Sequence, residues 1–249
     1  MPFRVVLMTS TLQYHHFYSP QLQHERGIRI LLPRNYFQSE QHYPVLYMQD
    51  GQNLFEPATA AFRDWKIPAT MDKLTLRRQA IIVGIDNTPG RIHEYAPYRR
   101  GRHGGSGDAY LRFVVDTVKP FLDRDYRTLP ERETTGIAGS SMGGLISLYA
   151  GLQYSHIFGR TGVLSPSLWF NPKVLTTARH HTAVKSRLYI AGSKTEQRSM
   201  ESTLQNLYWA LKNSGHDDHQ IRVIIRDRGR HSETFWAREF KKMMEWLWM

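Results

Sequence analysis

The chain contains no cysteine. Disulfides, thiolate metal sites and a cysteine nucleophile are therefore excluded together, and the composition suits a reducing cytoplasm, where the protein is expected. Nowhere do about 18 apolar residues follow one another, so no membrane span is expected. No secretory signal is legible at the start, where a short apolar run is interrupted by Gln13, Tyr14, His15 and His16. Repeats of fixed period and low-complexity linkers are also missing, and residues 1–249 read as one domain. The sequence has no H-E-x-x-H, no phosphate-cradling loop and no dinucleotide fingerprint. His216-Asp217-Asp218-His219 lacks the i, i+4 placement of helical metal ligands and reads as a solvated turn. Neither a metal nor a cofactor is expected.

Acidic residues are in the minority, 22 against 33 Lys and Arg, for a formal net charge of +11. The densest basic groups are Arg99, Arg100, Arg102, His103 and Arg226, Arg228, Arg230, His231. Neither interleaves aromatics as a single-strand groove does, and no RNA-binding signature occurs, so nucleic acid is not expected as a partner. The excess reads as a solvated basic surface, with attraction of anionic substrates as the alternative.

What is present is an alternation of short apolar runs and helix-like stretches. Strands are predicted at residues 3–8, 28–32, 45–49, 80–85, 134–138, 160–164, 187–191 and 221–225. From residue 45 onward these runs are nearly continuous in Val, Ile, Leu and Tyr, which suits strands covered on both faces. Helices are predicted at 110–123, 142–153, 172–179, 199–213 and 234–248. The pattern predicts an α/β architecture: a mostly parallel sheet of about eight strands, helices on both faces, no separate lid domain. The first two strands should pair antiparallel at one edge.

In such sheets functional groups gather beyond the carboxyl ends of the strands. There lies G-x-S-x-G, as Gly139, Ser140, Ser141, Met142 and Gly143, between an apolar run and a helix-forming run. This is the context in which a serine sits at the tip of a sharp turn with its Oγ exposed. The two glycines let strand turn into helix without collision. A serine at such a turn can instead cap the helix. Ser140 could serve as that cap, leaving Ser141 as the nucleophile. The Met142 amide then points where an oxyanion forms, favoured by the helix dipole.

A serine needs a base, and the base needs an orienting acid. Of the late histidines, His180, His181, His216 and His219 fall at the wrong ends of their strands. His231 alone follows the carboxyl end of the last strand and is the predicted base. Glu196, in the loop after residues 187–191, is the predicted acid, ahead of Glu201, Asp227 and Glu233. A second oxyanion donor is expected from the Gln52 amide, because Gly51 permits close backbone approach. Trp169 and Tyr95, with Trp65 and Trp236 as further candidates, are read as lining a substrate pocket. Core packing is the competing role for the tryptophans, and the stronger one for Trp236.

Several segments together resemble the putative esterase (esterase D-like) family of α/β-hydrolases, in the branch related to enterobactin and salmochelin esterases. P-V-L-Y-M-Q-D-G-Q-N-L-F from Pro44 to Phe55, R-I-H-E-Y from Arg91 to Tyr95 and G-S-S-M-G-G from Gly139 to Gly144 are similar to its motifs. So are S-P-S-L-W from Ser165 to Trp169 and H-S-E-T-F-W from His231 to Trp236. The resemblance implies Ser141, Glu196 and His231 as a triad and cofactor-free hydrolysis of a carboxylic ester or thioester. One departure is visible: the family's acid position, three residues after the loop glycine, holds Thr195 here, and Glu196 is one further along. The expected partner is a small-molecule ester; a siderophore triester meeting Arg91, Arg99, Arg100 and Arg102 is the sharper alternative. A binding protein on a retained hydrolase fold is the competing class.

Overall fold

The computed structural model describes residues 9–248. The strand predicted at residues 3–8 lies outside them. Among the described residues the sheet edge is an element that sequence reasoning missed, β1 (Thr11–Ser19), paired antiparallel in a hairpin with β2 (His24–Leu32). Its polar residues looked like the end of a strand signal, yet they belong to a strand with one solvated face. His15 and Phe17 turn inward onto Phe121, while Tyr14 and Tyr18 are exposed.

The remaining strands are β3 (Val45–Gln49), β4 (Ile81–Ile85), β5 (Thr135–Ser140), β6 (Arg160–Leu164), β7 (Arg187–Ser193) and β8 (Ile221–Arg226). They join β1 and β2 in one eight-stranded sheet of order β1-β2-β4-β3-β5-β6-β7-β8. β2 meets β4 antiparallel, and every pair from β4 to β8 is parallel. The continuous apolar runs of β3 and β4 are buried at every residue, as strands covered on both faces require.

Helices cover both faces, which separates the core into two layers. Short α1 (Ile67–Met71) and α2 (Arg91–Glu94) follow β3 and β4. The helix expected at 110–123 is composite: α3 (Gly107–Arg112) runs through a π-helical stretch, Phe113–Val118, into α4 (Lys119–Asp125). The wider winding falls just before Pro120, which has no N–H for the carbonyl four residues back. Then come α5 (Met142–Gln153), α6 (Lys173–His180), α7 (Met200–Asn213) and α8 (Glu233–Leu247). Leu46, Met48, Ile82, Ala138 and Ala191 pack on one face with Phe240, Met243 and Met244 of α8. On the other, Tyr47, Val83, Ile137 and Ile190 pack against α5 and α7. All of α5 but Gln153 is buried, so it carries no polar stripe.

Candidate active site

Ser141 lies between β5 and α5 with φ 57° and ψ −121°, a conformation non-glycine residues rarely hold and one that costs about 1–3 kcal/mol. The sequence makes that turn possible. A Cβ at Gly139 would stand 2.6 Å from the Gly143 carbonyl carbon, and one at Gly143 would stand 2.8 Å from the Gln49 Cβ. Backbone bonds hold the strained residue: its amide donates to the Leu164 carbonyl at 2.9 Å, and its own carbonyl accepts from Leu145 and Ser167, each at 3.0 Å. Ser140 does not cap the helix as expected. It ends β5, buried, and no side chain caps α5.

His231 and Glu196 converge on that serine from separate loops. His231 Nε2 stands 2.9 Å from Ser141 Oγ, and its Nδ1 stands 3.1 Å from Glu196 Oε2. A carboxylate beside Nδ1 selects the tautomer that is protonated there and leaves Nε2 as acceptor. The Glu196 side chain is fully buried while His231 is 39% exposed, so the acid sits behind the imidazole and the base faces the cleft. Thr195 is occupied differently. Its Oγ1 donates to the Gly229 carbonyl at 2.7 Å and accepts the Gly229 amide at 3.0 Å, tying the β7 loop to the segment that carries His231. The competing acids are engaged elsewhere or differently placed. Asp227 and Glu201 pair with Lys194 at 2.9 and 3.7 Å, and Glu233 opens α8.

Met142 is the first residue of α5, and Gln52 lies in a 3-10 turn, Gly51–Asn53, after β3. Among the described residues neither amide donates a hydrogen bond within the protein, as befits the first turns of helices. Gly51 is needed for the approach: a Cβ there would lie 2.7 Å from the Gly84 carbonyl carbon. The turn is anchored by Asp50, left-handed at φ 59°. Its carboxylate takes a two-pronged bond from Arg91, at 2.7 and 2.8 Å, and one from Asn87 at 2.6 Å. Burial by itself would lower the Arg91 pKa, but bonding to Asp50 outweighs it and holds the guanidinium above its ordinary range.

Tyr95, expected to touch substrate, is instead fully buried. Its hydroxyl accepts the Asp50 amide at 3.2 Å, and burial pushes its pKa well up, so it stays neutral. The R-I-H-E-Y segment thus acts through Asp50, with Glu94 reaching back to Arg26 at 2.6 Å.

The cleft over Ser141 has a volume of about 1250 Å³. Trp65, Phe235 and Trp236 form apolar parts of its wall, and Phe62 stands at 85% exposure. Trp169 is not on this wall; it is 55% exposed and lies beside Arg100, which donates to its carbonyl at 3.1 Å. Arg91 does line the cleft, together with Arg63, Arg228, Arg230 and Arg238. Arg99, Arg100 and Arg102 do not line it.

Residues 19–247 match the family described as "Putative esterase", and the chain belongs to that family. It is 26% identical over 250 residues to the "Uncharacterized protein YbbA" of Bacillus subtilis, covering 91% of this chain and 95% of that one. It is 29% identical over 198 residues to the ferri-bacillibactin esterase BesA of the same organism, covering 68% and 66%. The enterobactin esterase FES of Shigella flexneri superposes with a TM-score of 0.77 at 21% identity, over 96% of this chain and 59% of that one. At that identity the likeness concerns the fold. The protein is a carboxylic ester hydrolase with an α/β-hydrolase sheet.

Proposed function

We propose that the protein is a serine esterase working through an acyl-enzyme on a Ser141–His231–Glu196 triad. The observation that carries this reading is the unbroken line of hydrogen bonds from Ser141 Oγ through His231 to Glu196, ending on a strained serine. Ser141 Oγ attacks the ester carbonyl as His231 Nε2 takes its proton. The tetrahedral oxygen is stabilised by the free amides of Met142 and Gln52. The bond to the leaving oxygen breaks as His231 returns the proton to it, releasing the alcohol. Water then repeats the sequence, with His231 as base, and frees the acid. Glu196 keeps Nδ1 protonated and stabilises the imidazolium. The same chemistry would serve a thioester.

The substrate is a small-molecule ester, and the described residues act as a single hydrolase domain. A chain without cysteine fits the cytoplasm, and the basic surface needs no nucleic acid to account for it. Ser141→Ala should fold and lose about 10⁴-fold or more in turnover of a short-chain aryl ester. A serine-directed phosphonate should label the wild type at Ser141 and leave the variant unlabelled; labelling elsewhere would move the nucleophile.

A siderophore triester is a second reading, favoured by one observation. Arg63, Arg228, Arg230 and Arg238 line the cleft and, among the described residues, make no ion pair. Catecholate triesters, offered with and without iron, should then be cleaved with higher kcat/KM than neutral aryl esters. Equal values would reject this reading and leave the general one standing.

A further inference from the structure

The turn after β6, Ser165-Pro166-Ser167, touches the nucleophile directly and reaches the base through one intervening ring. Ser167 is buried, and its Oγ lies 3.3 Å from Ser141 Oγ, its sole hydrogen-bond partner among the described residues. The Ser167 amide also donates to the Ser141 carbonyl at 3.0 Å. On the other side, Ser165 is fully buried at φ 45° and its Oγ accepts the Trp236 indole N–H at 2.9 Å. The Trp236 ring stands edge to face with His231, centroids 5.0 Å apart at 88°. The turn is itself fixed between strands, since the Ser165 amide donates to the Ala191 carbonyl at 2.7 Å.

Proton bookkeeping gives the Ser167 contact a direction. Ser141 Oγ has one proton, and His231 Nε2, with Nδ1 protonated toward Glu196, can only accept it. In the Ser141–Ser167 contact, therefore, Ser167 must be the donor. We propose that this turn is a bracket for catalysis: Ser167 donates to Ser141 Oγ, while Ser165, through Trp236, fixes the His231 ring. Resting on the serine-esterase reading, it makes Ser167 a catalytic residue and Ser165 and Trp236 positioning residues. A donor at Ser141 Oγ helps whenever negative charge grows on that atom. This occurs as the proton leaves for His231 during attack, and again as the acyl-enzyme's carbon–oxygen bond breaks and Ser141 departs. In that second step His231 supplies the proton to Oγ, and Ser167 keeps its own throughout.

The test is the rate of covalent labelling of Ser141 by a phosphonate, with burst and steady-state kinetics on a neutral aryl ester. Ser167→Ala should slow labelling about tenfold, the worth of one net hydrogen bond. The acylation burst and deacylation should both slow, with KM and thermal midpoint held near wild type. Ser167→Thr, which keeps the hydroxyl, should recover most of the loss, and carries the comparison if the alanine variant folds poorly. Trp236→Phe retains a ring against His231 but loses the N–H, and should slow labelling about threefold, a smaller loss than a full hydrogen bond. Wild-type labelling and kinetics in Ser167→Ala would overturn the proposal, and so would equal losses in the alanine and threonine variants. Failure of the wild-type enzyme to label at Ser141 would instead refute the underlying esterase mechanism.

Discussion

Two arginine-rich segments of similar density end in opposite uses. In the stretch after β4, Arg91 is clamped by the Asp50 carboxylate and Arg100 donates to the carbonyls of Trp169 and Phe170. Arg99 and Arg102 are exposed and away from the cleft. In the stretch that begins at the end of β8, Arg226 is held by Glu239 at 2.9 and 3.0 Å, but Arg228 and Arg230 stay exposed on the cleft wall without a carboxylate partner among the described residues. The first segment organises backbone beneath the site, and the second presents charge to whatever enters it. Charge density along a sequence thus says little about charge available to a ligand; that depends on which carboxylates the fold brings alongside.

The comparison breaks most visibly if the clamp is cut. Asp50→Ala leaves the Arg91 guanidinium half-buried and unpaired, and should destabilise the fold by about 2–3 kcal/mol in urea unfolding, below the range for fully buried pairs. Ester turnover should fall with it, because the turn carrying the Gln52 amide loses its anchor. Wild-type stability in that variant would mean Arg91 is no better held than an ordinary surface arginine.

A smaller effect separates the two segments directly. Charge reversal at Arg228 and Arg230 should lower kcat/KM for an anionic ester about tenfold at low salt, with neutral-ester turnover unchanged. Added salt should erase the difference as the screening length shortens to about 8 Å. The same reversal at Arg99 and Arg102 should change either substrate by less than about twofold, because exposed charges far from the cleft are screened. Equal responses from both pairs would abolish the distinction.

The smallest effect extends the comparison to basic groups that the fold keeps uncharged. His181 and His216 stack with ring centroids 5.6 Å apart. Burial lowers the pKa of both, and the neighbouring His181 adds to the effect at His216. Both are neutral in either state above the ordinary histidine value of about 6.5, where their stabilising effect is complete. Below it the unfolded chain takes up protons that the folded chain resists, so stability declines until the lowered folded pKa values are passed. Thermal midpoints should drop modestly from pH 7 to pH 5.5, and His216→Gln should flatten that slope. An identical slope in the variant would assign the proton uptake to other groups.

Much of the site was legible because its signals are local. A glycine on each side of a serine, between an apolar run and a helix former, specifies a sharp turn wherever the chain goes, and Ser141 sits on one. His231 and Glu196 were expected from their places past the carboxyl ends of parallel strands, and the fold brings both to Ser141. The R-I-H-E-Y segment ending in Tyr95 was equally visible, but the role of Tyr95 was misread. An R-x-x-E-Y string does not reveal that Arg91 and Tyr95 both reach Asp50, some forty residues earlier. β1 was missed because period-two burial in a polar, aromatic-rich segment shows only when β2 and Phe121 lie beside it.

By itself, then, the sequence determined the alternation of buried strands and helices, the strained serine, and the loops that could supply its partners. These follow from backbone sterics and apolar periodicity, which act over a few residues. Only the tertiary structure decided that Thr195 staples Gly229 while Glu196 takes the imidazole, that Ser167 meets Ser141, and which arginines remain free at the cleft. Those outcomes depend on hydrogen bonds and charge pairs between segments 26 to 90 residues apart. Their partners are fixed by the order and register of the strands.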